Sequence, residues 1–267
     1  MRILIIGGGN MGKTYADNFI ANHAVKPEDL HILVHRPESV THFLSLGFKN
    51  VYHEVGEYIR NMELIILSVK PQDTKELFPL LVPFIHEKQM ILSVMAGVKM
   101  ENIQKALPQI KKIVRAMPNL PSMIGMGMTG FTSTENVNKS ELFWIHNLLN
   151  TTGKSLYFDN ENQLDAVTAI SGSGPAYVYY FMDAMIKAAI HMGFTQNQAE
   201  VLVEQTFLGA VHLKKRNDLT CQEWIQKVAS KGGTTEAALE RFEVLEVNQG
   251  IEKGLEDAFK RAVELGN

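Results

Sequence analysis

An α/β fold followed by an all-α region is predicted for this chain of 267 residues. In the first half, short apolar runs alternate with amphipathic stretches, which is the pattern of strands and crossover helices in a parallel sheet. Beyond Asp159 the strand signals stop and helix signals follow. Because this length suits two modest domains, we predict a doubly wound parallel sheet in residues 1–161 and a helical domain in residues 162–267.

The strands of the first half are predicted from short apolar runs. Two runs, Ile3–Ile6 and Leu64–Leu67, are continuously apolar, as expected for strands that helices cover on both faces. After a predicted helix at Ser140–Asn150, a last strand could extend the sheet at its edge. The predicted strands are Arg2–Gly7, His31–His35, Leu64–Val69, Met90–Met95, Lys112–Met117, Met128–Ser133 and Ser155–Phe158.

The second half carries recognisable helix starts and stops. Pro175 suits the first turn of a long helix that ends at Gly193. The stretch that leads into this helix, Asp165–Ala176, is rich in hydroxyl groups and glycine, and we predict a flexible break there. The spacing of a capping box occurs at Thr195 with Gln198 and at Thr220 with Glu223.

The composition argues against several classes of function. The 26 Lys and Arg against 29 Asp and Glu leave a net charge of −3, so no basic surface favours nucleic acid or an anionic membrane. No apolar run approaches the roughly 18 residues of a membrane helix, and we expect no signal peptide or anchor. A single cysteine, Cys221, favours a reducing cytoplasm. His31 and His35 share a strand face, but without a companion ligand no metal site is predicted.

A glycine-rich turn directly follows the first predicted strand. Gly7, Gly9 and Gly12 form the pattern G-x-G-x-x-G between a strand and a helix, the context in which it binds a dinucleotide. The glycines permit a tight turn, backbone approach to a pyrophosphate and close helix–strand packing, while the helix N-terminus offers N–H groups to the anion. We therefore interpret residues 1–161 as a Rossmann-type dinucleotide-binding domain. A glycine turn without a ligand is the alternative.

The cofactor is predicted to be NADPH, with NADH possible. A unit that binds NAD normally carries Asp or Glu at the end of its second strand, about 20 residues after the glycine turn. Here that strand is predicted to end in His35 and Arg36, and a cation at this position favours a 2′-phosphate. Alternatively, Arg36 is a solvated strand-end residue and Glu38 accepts from the ribose.

The second candidate site is the loop Ser230–Thr235, which lies between two predicted helices. Its two glycines and two threonines open a helix and can present consecutive N–H groups to a carboxylate. The alternative is a glycine helix terminator followed by a threonine cap. The chain carries no motif of nucleophilic or zinc-dependent hydrolysis, which favours a reaction that needs a bound hydride donor, an oriented electrophile and an anion site.

Five segments, in their order along the chain, closely resemble the pyrroline-5-carboxylate reductase family. The resemblance spans nearly the whole chain. Each segment alone is a weak signal, but the last two in succession are specific to that family. The segments are Gly7-Gly8-Gly9-Asn10-Met11-Gly12, Ser68-Val69-Lys70-Pro71-Gln72, Arg115-Ala116-Met117-Pro118-Asn119, Asp165–Ala176 and Gly232–Thr235.

This resemblance implies an oxidoreductase that transfers hydride from NAD(P)H to the C=N bond of 1-pyrroline-5-carboxylate, giving L-proline in the last step of proline biosynthesis. It also implies that the helical domain binds this small imino acid and intertwines with a partner subunit. The enzyme would be a homodimer or larger homo-oligomer with its active site at the dimer interface. A cyclic imine accepts hydride once its nitrogen is protonated or hydrogen-bonded, so positioning and polarisation suffice.

The resemblance further implies which residues form the site. Catalytic roles fall to Ser230 and Thr235, with the Thr235 hydroxyl close to the imine nitrogen. The substrate carboxylate would be held by Ser230 and by the backbone of Gly232, Gly233 and Thr234. The cofactor would be held by Gly7, Gly9, Asn10, Met11 and Gly12, by Ser68, Val69, Lys70, Pro71, Met95 and Ala96 on its nicotinamide side, and by His35 and Arg36 on its adenosine side.

The chain departs from the family pattern at three positions. Leu120 stands where the family usually has Thr, and Lys231 stands where Pro normally precedes the two glycines. Lys231 either strengthens anion binding or projects into solvent. Glu54 lies near a position where an Asn often meets the adenosine ribose, and it would repel a 2′-phosphate if it points there. Apart from these departures, Arg115 lies inside an apolar strand and is predicted to pair with a buried carboxylate.

Other functions remain as alternatives. A related imine reductase or a 3-hydroxyacid dehydrogenase would use the same fold, but the latter needs a Lys as proton donor where Val178 stands. A nucleotide-binding regulatory protein that has lost turnover is the alternative from another class. The intact residues Ser230 and Gly232–Thr235 argue against it.

Overall fold

The computed structural model describes residues 1–266, in which eight strands form one sheet. Across the sheet the strands lie in the order β3-β2-β1-β4-β5-β6-β7-β8, where β1 is Ile3–Ile6, β2 Leu30–Leu33, β3 Asn50–Tyr52, β4 Leu64–Leu67, β5 Met90–Ser93, β6 Lys112–Met117, β7 Gly127–Ser133 and β8 Gly153–Tyr157. Neighbouring strands are parallel except β6 with β7. The predicted doubly wound sheet is confirmed, and β8 extends it at one edge.

The described chain divides into two compact units. The first unit consists of Met1–Gly174 together with the residues from 258 onward, and the second consists of Pro175–Asp257. The division at 161/162 stays a prediction about the domains. Position 267, the last of the predicted helical domain, lies outside the described residues.

The sheet is buried on both faces because successive strand residues point to opposite sides. On β1, Ile3 and Ile5 belong to one apolar cluster, whereas Leu4 and Ile6 belong to the other. Helices pack on both clusters, which explains why the central strands are continuously apolar. In this unit the helices are α1 (Asn10–Ala21), α2 (Pro37–Ser45), α3 (Thr74–Leu81), α4 (Met100–Ala106), α5 (Lys139–Asn150) and α6 (Gln163–Val167).

The strand predictions are right in type, but they miss one strand and misplace some ends. Strand β3 has three residues and no apolar run, so its sequence carries no strand signal; it pairs with β2 through His31, Ile32 and Leu33. The second predicted strand ends too late, because β2 ends at Leu33 and not at His35. Within β2, His31 is half-buried beside Tyr52 of β3, and burial lowers the pKa of the His31 imidazole.

The stretch 163–172 is helical and only Ser173 forms a bend before α7, so the predicted flexible break is wrong for most of its length. Helix α6 continues into a wider π-helical turn at Thr168–Gly172, which Ser173 closes by donating its N–H to Thr168 O (2.9 Å). The Thr168 hydroxyl donates to Leu164 O (2.7 Å). The hydroxyl group therefore bonds back to the preceding turn of helix and does not end the helix.

A buried ion group fastens this helical stretch to the sheet. The side chain of Arg115, on β6, is 3% exposed, and its guanidinium donates to Asp165 Oδ1 (3.3 Å) and to Glu161 Oε1 (3.1 Å). Glu161 Oε1 also accepts from the N–H of Met100, the first residue of α4 (2.8 Å). The predicted pairing of Arg115 with a buried carboxylate is confirmed, and this one cation connects β6, α6 and the start of α4.

The second unit is built from helices. Its predicted long helix begins at Gly174, one residue before Pro175, and ends at His191. Both predicted capping boxes are confirmed: in each, the threonine side chain accepts from the N–H three residues later, and that residue's side chain accepts in return. The helices are α7 (Gly174–His191), α8 (Gln196–Lys215), α9 (Cys221–Val228), α10 (Thr234–Val244) and α11 (Val247–Leu265). The last of these begins in the second unit and continues past Asp257 into the residues assigned to the first.

Large apolar side chains are exposed on these helices. Tyr180 on α7 and Val244 on α10 are each more than 70% exposed, and several apolar residues of α8 are about half exposed. Monomeric proteins rarely leave large apolar patches in contact with water. The helices of the second unit therefore have the character of an association surface.

We expect the Arg115→Ala substitution to lower the free energy of unfolding by about 3–5 kcal/mol, because Asp165 is then left buried without its cation. Denaturant unfolding followed by circular dichroism measures this change. The double variant Arg115→Met, Asp165→Leu should recover much of the loss, since it buries neither charge. A single variant as stable as the wild type would contradict the role of this ion group.

Candidate functional site

The carboxyl ends of four strands lie at one level, along the edge of the sheet that these strand ends form. Ile6 pairs with both Leu33 and Leu67, and Leu67 pairs with Ser93. The segments that follow β1, β2, β4 and β5 are therefore neighbours. Because β2 and β4 lie on opposite sides of β1, the edge contains the topological switch point at which open α/β sheets bind ligands. The structure thus brings together the predicted cofactor residues of the first unit.

The glycine turn is as tight as the sequence predicts. Gly7 has a φ of +109°, and a Cβ on it would lie 2.3 Å from Ser68 O. A Cβ on Gly12 would lie 1.9 Å from Gly7 O, so only glycine lets α1 pack this closely on the strand. A Cβ on Gly9 would meet no protein atom within 4 Å. The second glycine is therefore the one whose backbone is open to a ligand.

The N-terminus of α1 suits a pyrophosphate. Its N-cap, Gly9, supplies no side-chain cap, and the first turn contains no acidic residue. The first N–H groups of a helix have no acceptor within the helix, and the helix dipole favours an anion at this end. Asn10 is exposed and Met11 is half-buried at the same turn. These features fit the phosphates of a dinucleotide, as predicted for this loop.

The predicted adenosine side lies beyond the end of β2. His35 and Arg36 are exposed, and Arg36 is the N-cap of α2, whose first turn carries Glu38. Glu54 is exposed as well, with its Oε1 3.6 Å from His53 Nε2. The guanidinium of Arg36 and the carboxylates of Glu38 and Glu54 therefore all lie near the ends of β2 and β3.

The predicted nicotinamide side is formed by the segments after β4 and β5. Ser68 and Val69 are half-buried, whereas Lys70, Pro71 and Ala96 are exposed. Met95 differs, because its side chain is 2% exposed and belongs to the apolar core. Only the backbone of Met95 is therefore available to a cofactor.

Asn119 is a residue of this edge that sequence reasoning did not assign to the site. It follows β6, and its Nδ2 donates to the carbonyl oxygen (3.1 Å) and to Oγ (3.2 Å) of Ser171, while its Oδ1 accepts from Met128 N–H (2.9 Å). Asn119 thereby holds the π-helical turn Thr168–Gly172 at the edge. The pair Pro118-Asn119 directly after an apolar strand was the signal that could have indicated it.

The predicted substrate loop lies in the second unit and precedes α10. The N–H of Gly233 donates to Ser230 O (3.0 Å), and a Cβ on Gly233 would lie 2.6 Å from Ser230 Oγ. Gly232 has a φ of +72°, which glycine adopts without strain, and its N–H donates to Glu236 Oε2 (2.6 Å). Two of the N–H groups predicted to hold a carboxylate thus have partners in the chain itself, one within the loop and one in the first turn of α10.

The remaining donors of this loop lie in the first turn of α10. Thr234 is the first residue of the helix and Thr235 the second, so their N–H groups have no acceptor within the helix. The N-cap, Gly233, has no side chain to cap them. Ser230, Thr234 and Thr235 also carry hydroxyl groups, and Lys231 is exposed. The loop can therefore offer N–H and hydroxyl donors to an anion.

Neither a cluster of metal-ligating side chains nor a membrane-spanning helix occurs in residues 1–266. No group of three or more His, Cys, Asp or Glu side chains is placed there to hold a metal ion. Within the same range, no helix is both long and apolar enough to cross a bilayer.

Known families match both parts of the chain. Residues 161–265 match the model described as pyrroline-5-carboxylate reductase dimerisation, and residues 2–97 match the model described as NADP oxidoreductase, coenzyme F420-dependent. The pyrroline-5-carboxylate reductase of Haemophilus influenzae is 33% identical over 264 residues, which cover 98% of this chain and 97% of that protein. The chain belongs to the pyrroline-5-carboxylate reductase family.

Solved structures of pyrroline-5-carboxylate reductases share the whole architecture. The structure from Coxiella burnetii has a TM-score of 0.91 at 32% identity and covers 100% of this chain and 98% of its own. The Plasmodium falciparum enzyme, solved with NADP bound, has a TM-score of 0.89 at 26% identity, with coverage of 100% and 98%. The predicted combination of a Rossmann-type domain and a helical dimerisation domain is thus confirmed.

Alanine at two glycines of the family's glycine turn should separate packing from binding. Gly12→Ala should lower the free energy of unfolding by about 1–3 kcal/mol, because its methyl group collides with Gly7 O. Gly9→Ala should leave stability unchanged but weaken NADPH binding by about tenfold, since its methyl group stands over the open backbone. Thermal unfolding and a fluorescence titration with NADPH measure both effects. Equal NADPH affinity in Gly9→Ala and the wild type would argue against the assigned phosphate site.

Proposed function

We propose that this chain reduces the C=N bond of 1-pyrroline-5-carboxylate with NADPH to give L-proline, the last step of proline biosynthesis. NADH is the second possible donor. The full-length similarity to pyrroline-5-carboxylate reductases carries the proposal, because the fold alone would not select a substrate. The tight glycine turn and the donor-rich loop before α10 add the two anion sites that this reaction needs.

The cofactor is held by the edge of the sheet in the first unit. The N-terminus of α1 and the open backbone at Gly9 bind the pyrophosphate, and Arg36 binds the 2′-phosphate. Ser68–Pro71 and the backbone of Met95 and Ala96 flank the nicotinamide. NADPH supplies a hydride to the carbon of the C=N bond, while the ring nitrogen takes a proton, so that one NADPH and one proton are consumed for each proline formed.

The substrate is held by the loop before α10. The N–H groups of Thr234 and Thr235 and the Ser230 hydroxyl bind the carboxylate, and the Thr235 hydroxyl donates to the imine nitrogen. A hydrogen bond at this nitrogen draws electrons from the C=N carbon and favours hydride addition. The residues so assigned include no strong acid–base pair, so the rate is attributed to positioning and polarisation.

The active site is proposed to form where two subunits of a homo-oligomer meet. The match to a dimerisation domain and the exposed apolar side chains of α7, α8 and α10 support this assembly. The reaction is placed in the cytoplasm, because a chain with a single cysteine is typical of a reducing compartment.

Purified protein should oxidise NADPH in the presence of 1-pyrroline-5-carboxylate, with a higher kcat/KM than with NADH. Arg36→Ala should raise the KM for NADPH by about tenfold, since a charge-assisted contact to phosphate is lost, and should leave the KM for NADH unchanged. Loss of absorbance at 340 nm measures all four combinations. Lys49→Ala is the control, because it removes an exposed cation that directly precedes β3, at the opposite end of the strands from the proposed cofactor residues, and it should leave both KM values unchanged. Absence of turnover with either donor, in folded protein that binds NADPH, would refute the proposed reaction.

Thr235→Ala should lower kcat about 100-fold, because the imine nitrogen loses its hydrogen-bond donor during hydride transfer. Thr235→Ser retains the hydroxyl group and should keep most of the activity. Steady-state kinetics at saturating NADPH, with thermal unfolding as a check of the fold, compare the two variants. An unchanged kcat in Thr235→Ala would remove this residue from the mechanism.

A further inference from the structure

The chain places one of its own carboxylates in the proposed carboxylate site. Glu236 Oε2 accepts the N–H of Gly232 at 2.6 Å, and this N–H belongs to the loop that is assigned to the substrate. Glu236 is half-buried and Gly232 is exposed, so the contact lies at an accessible surface of this unit. A carboxylate of the chain is therefore already bound to this loop, beside the Thr234 and Thr235 N–H groups that are assigned to the substrate carboxylate.

Three other helices of the chain show what an ordinary capping box does here. In α5, α8 and α9 the third helical residue, Glu141, Gln198 or Glu223, accepts from the N–H of the N-cap residue. The N-cap side chain accepts from the N–H of the third residue in return, so that both donors at the helix start are satisfied.

Helix α10 departs from this arrangement in two ways. Its N-cap is Gly233, which has no side chain, so the first-turn N–H groups receive no cap. The N–H of Gly233 already donates to Ser230 O, and Glu236, the third residue, reaches one position further, to Gly232. Glu236 thus holds the loop without satisfying the helix end, which leaves the first-turn N–H groups to an external anion.

An incoming carboxylate meets Glu236 as a competitor. Both carboxylates bind N–H donors of the same short loop. Their negative charges would lie close together there and repel each other. The substrate must therefore either displace Glu236 from Gly232 or bind beside it against this repulsion.

We propose that Glu236 is a tethered carboxylate that orders the loop Gly232–Thr235 in the free enzyme and competes with the carboxylate of the substrate, so that it sets the KM for that substrate. This inference rests on the proposed function. It assigns to Glu236 control of affinity and no part in hydride transfer. The carboxylate is unchanged between substrate and product, so its binding affects KM and leaves kcat unaltered.

The Glu236→Gln substitution tests this role. It removes the charge but keeps the length of the side chain, and we expect the KM for 1-pyrroline-5-carboxylate to fall about two- to fivefold, the size of charge effects at a helix N-terminus. The kcat and the KM for NADPH should remain within a factor of about two of the wild type. A residue that only stiffens the loop would leave the KM unchanged or raise it, because the amide oxygen of glutamine still accepts from the Gly232 N–H.

Glu223→Gln is the matched control. Glu223 occupies the same third position in α9, where hydrogen bonds from Thr220 lower the pKa of its carboxyl group. This substitution removes a capping carboxylate of the same type outside the proposed site, and it should leave both KM values unchanged. Glu236→Asp is the second variant, because it keeps the charge at the helix start while shortening the reach to Gly232.

Binding without turnover gives an independent measurement. In the presence of NADP⁺, calorimetric titration should show tighter binding of L-proline to Glu236→Gln than to the wild type, and equal binding of L-prolinamide, which lacks the carboxylate. An unchanged or raised KM for the imine, or an equal gain for both ligands, would overturn the role of Glu236 while leaving the proposed function intact. A wild type that does not reduce the imine would overturn the proposed function and, with it, this inference.

Discussion

The contact between the glycine turn and its two neighbouring strands is the constraint on which the cofactor edge depends. Ser68 N–H donates to Ile6 O at 2.8 Å, and a side chain on Gly7 would collide with the Ser68 carbonyl group. Because a side chain on Gly12 would likewise collide with Gly7 O, the start of α1 packs closely against the end of β1. Strand ends, turn and helix N-terminus therefore form one rigid arrangement, and preorganised donors of this kind stabilise an anion without having to rearrange.

The ion group at Arg115 extends this rigidity to the other end of the same edge. Well-packed apolar side chains in place of this ion group would give similar stability. The charged group therefore contributes the fixed geometry of its hydrogen bonds and little net free energy of folding. Glu161 accepts from both Arg115 and the N–H of Met100, and thereby fixes where α4 begins after the loop that contains Ala96. Asn119 acts in the same way on the turn Thr168–Gly172. Polar contacts thus set the position of segments that apolar packing alone would leave free to slide.

Patterns repeated over several residues were predictable, and single contacts between distant residues were not. The continuous apolar runs, the glycine spacing and two capping boxes each indicate their structure locally, and all were confirmed. Strand β3 was missed because Asn50–Tyr52 contains no apolar run that would indicate a strand. Its strand conformation depends on the backbone pairing with β2. The stretch Asp165–Ala176 was misjudged because the Thr168 hydroxyl bonds within the helix and Asp165 pairs with Arg115, 50 residues earlier. Glu236 was overlooked because a glutamate in the first turn of a helix is ordinarily a cap.

The N-termini of α1 and α10, which are proposed to bind a pyrophosphate and a carboxylate, differ in the charge of their first helical turn. The first turn of α1 contains no acidic residue, whereas that of α10 contains Glu236. The proposed pyrophosphate site thus has no carboxylate of the chain in the first turn of its helix, whereas the proposed carboxylate site has one. The carboxylate of the imine is the same in substrate, transition state and product, so tighter binding of it would lower KM without accelerating hydride transfer. A loop that holds this group loosely therefore loses nothing in the chemical step.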